Sequence, residues 1–118
     1  MIRRLEQSHD NIVGYSVSGD VTDDEYTQMV SDIRDEIARF DKIRVLVRVS
    51  DLKMSSVLSS LDERFKFLKE HAEDIERAAI VAEDGSTEML AKVPEKIGPV
   101  ETKAFTRDEE PKAWAWLE

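Results

Sequence analysis

The chain has 118 residues, a length that predicts one domain over residues 1–118. It carries 17 Lys and Arg against 26 Asp and Glu, a formal net charge of -9 at pH 7. Nucleic acids and anionic membrane surfaces are bound by basic patches, so this charge balance argues against both as partners. Without cysteine, the chain has no disulfide, thiolate metal site or cysteine nucleophile.

Apolar runs in the sequence are only a few residues long, whereas a membrane-spanning helix needs about 20. Acidic residues begin at Glu6, too early for a secretory signal. We therefore expect a cytoplasmic protein that is not an integral membrane protein. The charged fraction of 36% is interpreted as a solvated outer face.

Two short strands are predicted at the start of the chain, at residues 2–5 and 12–19. Between them lies a polar turn at residues 8–11, where Asp and Asn side chains can hydrogen-bond to nearby backbone groups. In the second strand alternate residues are apolar, the period that a strand requires. These alternating residues are Val13, Tyr15 and Val17.

The first helix is predicted with a defined start. Thr22 and Glu25 form a capping box, in which each side chain accepts a hydrogen bond from the other residue's backbone N–H. Apolar side chains then recur every three or four residues, which places them on one face of a helix. This stripe consists of Tyr26, Met29, Val30, Ile33, Ile37 and Phe40.

A third strand is predicted at residues 43–49, because β-branched residues alternate along it. Its other face carries Arg44 and Arg48 together with Leu46. A central parallel strand is normally apolar on both faces. The two arginines therefore predict a position near an edge of the sheet, or a face only partly covered by a helix.

The rest of the chain is predicted to continue as helix, strand, helix, strand and helix. These elements cover residues 61–71, 77–82, 87–97, 100–105 and 108–117. Pro94 can kink the third helix, and Gly98 with Pro99 ends it. Together the pattern predicts an α/β layered sandwich, with a five-stranded, mostly parallel sheet and about four helices.

The order and spacing of core and turn residues along nearly the whole chain resemble those of a known family. The segments that carry the resemblance are residues 11–15, 18–19, 21–22, 42–47, 62, 65–67, 76–81 and 113–117. The chain resembles the SpoIIAA-like proteins, small bacterial relatives of the anti-sigma-factor antagonists in the STAS class, which also has CRAL-TRIO-like relatives. The resemblance implies a sheet in the order 1-3-2-4-5 with the first strand antiparallel, and a regulatory function without a cofactor.

Regulatory members of this class carry a phosphorylatable serine at the start of the second helix, in an Asp-Ser-Ser-Gly-like motif. The matching positions here are Met54, Ser55, Ser56 and Val57, so the two hydroxyls are kept and the flanking residues are not. Phosphate would suit the positive end of a helix dipole. The simpler interpretation is that Ser55 and Ser56 are ordinary helix caps.

No catalytic or metal-binding group stands out in the sequence. His9 and His71 are the only histidines, and neither has the partners of a catalytic triad at a motif spacing. His71 with Asp74 would supply two metal ligands, whereas a site needs three or four. The sequence therefore predicts a protein that is not an enzyme and has no metal site.

Two places offer more apolar surface than a core requires. Trp114 and Trp116 are about 200° apart on a helix, which predicts that one packs on the sheet and the other lies near the surface. Phe67 is offset in the same way from Phe65. The candidate partner or ligand surface consists of Leu58, Leu61, Phe65, Phe67, Trp114 and Trp116.

The leading hypothesis is a non-enzymatic module that binds a protein partner, or a second copy of itself as a homodimer, through the second-helix face. The alternative is a carrier of a small apolar or lipid-like ligand. In that hypothesis residues 50–60 act as a hinge and the second helix lifts to open a cleft over the sheet.

Overall fold

The computed structural model describes residues 1–18, 22–50, 70–82 and 95–118. Its strands are β1 (Ile2–Arg4), β2 (Ile12–Ser18), β3 (Ile43–Ser50), β4 (Ile75–Ala82), β5 (Lys96–Ile97) and β6 (Val100–Thr106). Its α-helices are α1 (Asp23–Phe40) and α2 (Glu110–Leu117), the latter preceded by a 3₁₀ turn at Arg107–Glu109. The strands form one sheet in the order β1-β2-β3-β4-β6-β5.

The sheet is mixed and mostly parallel, as predicted. β2, β3, β4 and β6 run parallel to one another. β1 is antiparallel to β2 at one edge, which confirms the orientation expected for the first strand. At the other edge the five predicted strands are extended by β5, which pairs antiparallel with β6 through a hairpin.

The predicted strand order 1-3-2-4-5 is wrong, because the five predicted strands lie side by side in chain order. β1 and β2 are joined only by residues 5–11, and Leu5 N donates to Gly14 O at 2.8 Å within this connection. Strands joined by so short a segment pair as antiparallel neighbours. The other edge of β2 is then left for β3, which reaches it through α1.

The described residues contain two α-helices, where about four were expected. The other two expected helices fall mainly on residues 51–69 and 83–94, outside the described ranges. Glu70 is helical and is followed by a turn, in agreement with a helix that ends near His71. Lys96–Ile97 form a strand rather than a helix end, because Gly98 adopts a φ of 59° and turns the chain back into β6.

The predicted start of α1 is confirmed. Thr22 Oγ1 accepts from Glu25 N at 3.1 Å, and Glu25 Oε1 accepts from Thr22 N at 3.3 Å. Of the predicted stripe, Met29, Val30 and Ile33 are buried. Phe40 is 38% exposed, so the packed face of α1 ends before the last residue of the stripe.

The sheet has an apolar core on each face. Successive side chains of β3 point to opposite faces, so this strand contributes to both cores. Val45, Val47 and Val49 lie on the face covered by α1, with Val13, Tyr15, Val17, Met29, Ile33 and Ile80. Leu46 lies on the opposite face, with Leu5, Ile12, Ala79, Val81, Phe105, Ala113 and Leu117. A helix covers each face, which is the layer arrangement predicted from the sequence.

Of the two positions expected for the third strand, the one near an edge is wrong, since β3 lies between β2 and β4. Arg44 and Arg48 point to the face that α2 covers, and both make hydrogen bonds to that helix or to the residue after it. A central strand can carry these arginines because the helix packed above them supplies acceptors.

Candidate functional site

Three arginines from β3 and β4 lie beneath α2. Arg44 and Arg77 are paired across the two strands, and Arg48 lies four residues further along β3 on the same face. Like charges placed side by side under a helix are unfavourable unless acceptors neutralise them. The two ends of α2 supply these acceptors in different ways.

At the start of α2, Arg48 donates two hydrogen bonds to the Glu110 carboxylate. Its Nε lies 2.6 Å from Oε1 and its Nη2 lies 2.6 Å from Oε2. Arg107 Nη1 adds a contact of 2.9 Å to Oε1. Burial by itself would raise the pKa of Glu110, but the hydrogen bonds and charges of Arg48 and Arg107 outweigh it and hold that pKa below its ordinary value.

At the end of α2, the other two arginines bind backbone carbonyls. Arg44 Nη1 donates to Leu117 O at 2.5 Å and to Glu118 O at 3.1 Å. Arg77 Nη1 donates to Trp116 O at 2.7 Å. The last carbonyls of a helix have no partner within it and carry the negative end of its dipole, so guanidinium groups stabilise them. All three arginines therefore serve to dock α2 on the sheet.

Trp114 and Trp116, the predicted surface pair, are both half-buried. The buried centre of α2 is Ala113 and Leu117, each 0% exposed, and the two indoles flank that line at about 80° on either side. Trp116 packs against Phe105, with ring centroids 6.1 Å apart and the ring planes tilted by 55°. The expectation that one indole packs and the other lies near the surface is thus replaced by two equivalent flanking positions.

Gly14 is required where the Trp114 indole crosses β2. A Cβ at Gly14 would lie 2.6 Å from Trp114 Cη2 and 3.2 Å from Leu5 Cδ1. Real side chains do not approach that closely, so the indole can lie this near to β2 only because glycine has no Cβ.

A cleft lies on the other face of the sheet, between the first half of α1 and the β1–β2 hairpin. We call it the α1 cleft; its volume is about 310 Å³. Its lining residues are Ile2, Arg4, Tyr15, Asp24, Glu25, Gln28, Met29 and Asp32. Arg4 stands directly opposite Tyr15 in the antiparallel pair, so the hairpin register brings the two side chains to one wall.

Tyr15 places a buried hydroxyl at this wall. The residue is 1% exposed, and within the described ranges its hydroxyl has no hydrogen-bond partner. Burial raises the pKa of Tyr15, and the charges of Asp32 and Glu36 raise it further while Arg4 opposes them. The phenol is therefore neutral and able to donate or accept, and Asp32 lines the same cleft.

The charged groups around the α1 cleft are ordered by contacts. Arg4 Nη2 lies 3.2 Å from Oε1 of Glu36, whose own side chain is 9% exposed. Glu25 Oε2 accepts from Ile2 N at 2.8 Å, which ties β1 to α1. The backbone N–H groups of Ile2 and Thr22 hold the pKa of Glu25 below its ordinary value. Gln28 Nε2 donates to Asp32 Oδ1 at 3.1 Å.

The α1 cleft was not predicted from the sequence. The sequence does show which residues of each strand share a face: Ile2 and Arg4 are two positions apart in β1, and Tyr15 and Val17 are two positions apart in β2. This spacing alone does not predict that Arg4, Tyr15 and Asp32 lie together, because that depends on the register of the hairpin and on the position of α1.

Most of the predicted site residues lie outside the described ranges. Ser55, Ser56, Leu58, Leu61, Phe65 and Phe67 all fall within residues 51–69. Their assignment as a modification site and as a partner surface stays a prediction. Trp114 and Trp116, on α2, are separated from the α1 cleft by the sheet.

Across residues 1–18, 22–50, 70–82 and 95–118, no group of three or more His, Asp or Glu side chains is arranged to hold a metal ion. In the same ranges no helix is both long enough and apolar enough to cross a membrane.

Comparison with known proteins places this fold in a family. The SpoIIAA-like family model matches residues 12–118. The crystal structure of an uncharacterised DUF3478-family protein with a SpoIIAA-like fold, from Shewanella loihica PV-4, is similar with a TM-score of 0.64. The similarity covers 100% of this chain and 93% of that one, at 22% identity, and supports the fold. A search of curated proteins found no significant match. The chain belongs to the SpoIIAA-like family.

Proposed function

We propose that this protein is a cytoplasmic, non-enzymatic module of the STAS type that regulates a protein partner by binding it. The observation that carries the proposal is the family match over residues 12–118. The full-length likeness to a solved SpoIIAA-like fold supports it. In such a module the recognition of a partner surface, rather than a chemical step, is the activity.

The use of charged side chains on the α2 face also supports a non-enzymatic function. Arg44, Arg48 and Arg77 each bind α2 or the residue that follows it. The buried carboxylate of Glu110 is held by two guanidinium groups rather than directed into a cleft. These groups are explained by the docking of a helix, so their burial does not call for catalysis.

We place the partner surface at residues 51–69. This segment contains Phe67, which is predicted to point away from the face of the second helix that carries Phe65. This segment directly follows β3, and the carboxyl ends of the parallel strands β2, β3, β4 and β6 share one edge of the sheet. In open α/β sheets that edge is the usual site of recognition. Phosphorylation of Ser55 or Ser56 would add negative charge to the same surface and change its affinity.

The test uses the full chain, isolated from its own cells with a small affinity tag. Partners are identified by quantitative mass spectrometry for the native sequence, for Phe67→Asp and for the control Phe40→Asp. Phe40 is 38% exposed on α1, on a different element, so it matches the substitution without touching the proposed surface. The purified partner is then tested against each variant by sedimentation velocity.

We expect a stoichiometric complex that Phe67→Asp abolishes and Phe40→Asp leaves intact. A homodimer disrupted by Phe67→Asp alone would identify a second copy as the partner. An inert monomer, or a complex indifferent to Phe67→Asp, would overturn the proposal. Intact native mass of the same sample separates the alternative, because a carrier would retain an apolar or lipid-like ligand.

A further inference from the structure

From the geometry of the α1 cleft we infer that it binds a small organic ammonium with an apolar body. The cation would sit between Asp32 and the Tyr15 hydroxyl, and its body would lie against Ile2 and Met29. This inference does not depend on the proposed partner surface, because the described residues that line the cleft belong to β1, β2 and α1.

The size of the α1 cleft suits a small molecule. Its volume of about 310 Å³ lies at the lower end of the range for ligand pockets, which is roughly 300–1,000 Å³. The apolar part of the wall is supplied by Ile2, which is partly buried, and Met29, which is 3% exposed. A flexible methionine side chain can adapt to the shape of an apolar group.

The Tyr15 hydroxyl requires a partner that the described residues do not provide. A buried hydroxyl without a hydrogen bond is unfavourable, and this one is carried by a side chain that is 1% exposed. Tyr15 lines the α1 cleft together with Arg4 and Asp32, and Arg4 is its partner across the hairpin. A ligand N–H in this cleft would donate to the phenol oxygen.

The charges around the α1 cleft select a cation. Among the described residues that line it, three carboxylates, those of Asp24, Glu25 and Asp32, face one guanidinium, that of Arg4. Arg4 is itself paired with the buried carboxylate of Glu36. An anionic ligand would face an excess of negative charge, whereas an ammonium would be attracted by it and by the net charge of -9 on the chain.

Asp32 is the carboxylate best placed to bind the ammonium. Glu25 is already engaged by the backbone of Ile2 and Thr22, so its orientation is set by the helix cap. Asp32 is half-buried, and Gln28 donates to only its Oδ1 atom. An ammonium that bridges Asp32 and Tyr15 would donate to an ionised acceptor at the first and to a neutral phenol oxygen at the second, and both hydrogen bonds would be charge-assisted.

The test compares two probes that share one apolar body, phenethylammonium and 3-phenylpropanoate. Binding of each to the full chain at pH 7 is followed by calorimetry and by NMR of the Met29 methyl and Ile2 methyl groups. The variants are Tyr15→Phe, which keeps the ring, and Asp32→Asn, which keeps the shape. Asp35→Asn is the control, because Asp35 is exposed on α1 and does not line the cleft.

We expect the ammonium probe to bind and the anionic probe not to bind. Asp32→Asn should weaken the affinity about tenfold or more, and Tyr15→Phe about threefold to tenfold, because Asp32 offers a charged acceptor and Tyr15 a neutral one. Asp35→Asn should change it less than about twofold, because an exposed charge is screened by solvent. Thermal unfolding of each variant verifies that it is folded.

Four results would overturn the inference. Binding of neither probe, or equal binding of both, would show that the cleft does not select a cation. Preference for the anion would assign recognition to Arg4 instead. An equal loss in Asp32→Asn and Asp35→Asn would attribute binding to the general field of the protein.

Discussion

Arg48 on β3 and Glu110 at the start of α2 form a bidentate ion pair, with both nitrogen–oxygen distances at 2.6 Å. Their side chains are 13% and 6% exposed, so each charge is largely withdrawn from water. The pair explains why an arginine lies in the centre of the sheet. It also joins a central strand to a helix 62 residues away in the chain.

We expect Arg48→Met to destabilise the fold by about 3 kcal/mol, because it removes the bidentate partner of the buried Glu110 carboxylate and leaves Arg107 as its cationic neighbour among the described residues. The double variant Arg48→Met/Glu110→Leu should recover much of that loss, since both buried charges are then removed. Urea unfolding at pH 7 measures both. Arg34→Met, at an exposed position of α1, is the control and should change stability by less than about 0.5 kcal/mol. A double variant as unstable as the single one would contradict the interpretation.

The pKa of Glu110 predicts part of the acid sensitivity of the fold. Its folded-state pKa lies below the ordinary value of 4.5, so as pH falls the unfolded chain takes up a proton before the native carboxylate does. The stabilisation from Glu110 is therefore complete above its ordinary pKa and is lost as pH falls through the folded value. Stability measured from pH 7 to pH 3 should fall less steeply in Glu110→Gln than in the native sequence. If stability falls equally steeply with pH in both proteins, other carboxylates account for the loss of stability in acid.

Gly14→Ala should destabilise the protein by about 1–3 kcal/mol, because the new methyl group would overlap the Trp114 indole and force a shift. Replacing the indole with a smaller ring, in Gly14→Ala/Trp114→Phe, should cost less than the sum of the two single variants. Thermal unfolding of the four proteins gives this coupling. Additive effects would mean that the two residues are not in contact.

His9 should titrate at a raised pKa that depends partly on Glu118. Its Nδ1 lies 2.8 Å from Gln7 O, which is the larger cause of the raised pKa, and its Nε2 lies 3.2 Å from Glu118 Oε1. Because the folded pKa is raised, the contribution to stability is present below the ordinary value of 6.5 and is lost as pH rises through the folded value. NMR titration should show a lower His9 pKa in Glu118→Gln, yet one still above the ordinary value. If the pKa of His9 is the same in Glu118→Gln as in the native sequence, the ion pair between His9 and Glu118 is excluded.

Tyr15→Phe should leave the free energy of unfolding unchanged or increase it by up to about 1 kcal/mol. The substitution removes a buried hydroxyl that has no partner in the described ranges and keeps the packed ring. Urea unfolding without any ligand measures it, with Val17→Ala on the same strand face as the control for lost packing. A loss of more than about 1 kcal/mol would show that the hydroxyl is hydrogen-bonded in the native state.

Local patterns predicted the elements closely where the described residues test them. The capping box of Thr22 and Glu25 and the alternation of Val45, Val47 and Val49 depend on residues that are near in sequence. Their spacing therefore determines which face of an element is buried. The family, too, was identified from the order of such signals.

The sequence by itself determined the α/β class, the positions of the five main strands and the apolar face of α1, because periodicity is a local property of the chain. Only the tertiary structure decided the strand order, the docking of α2 on three arginines and the assembly of the α1 cleft. Each of these depends on a register or a crossing between distant segments, as when the β1–β2 hairpin sets Arg4 against Tyr15. Contacts of that kind are selected by the packing of the whole chain, which no local spacing encodes.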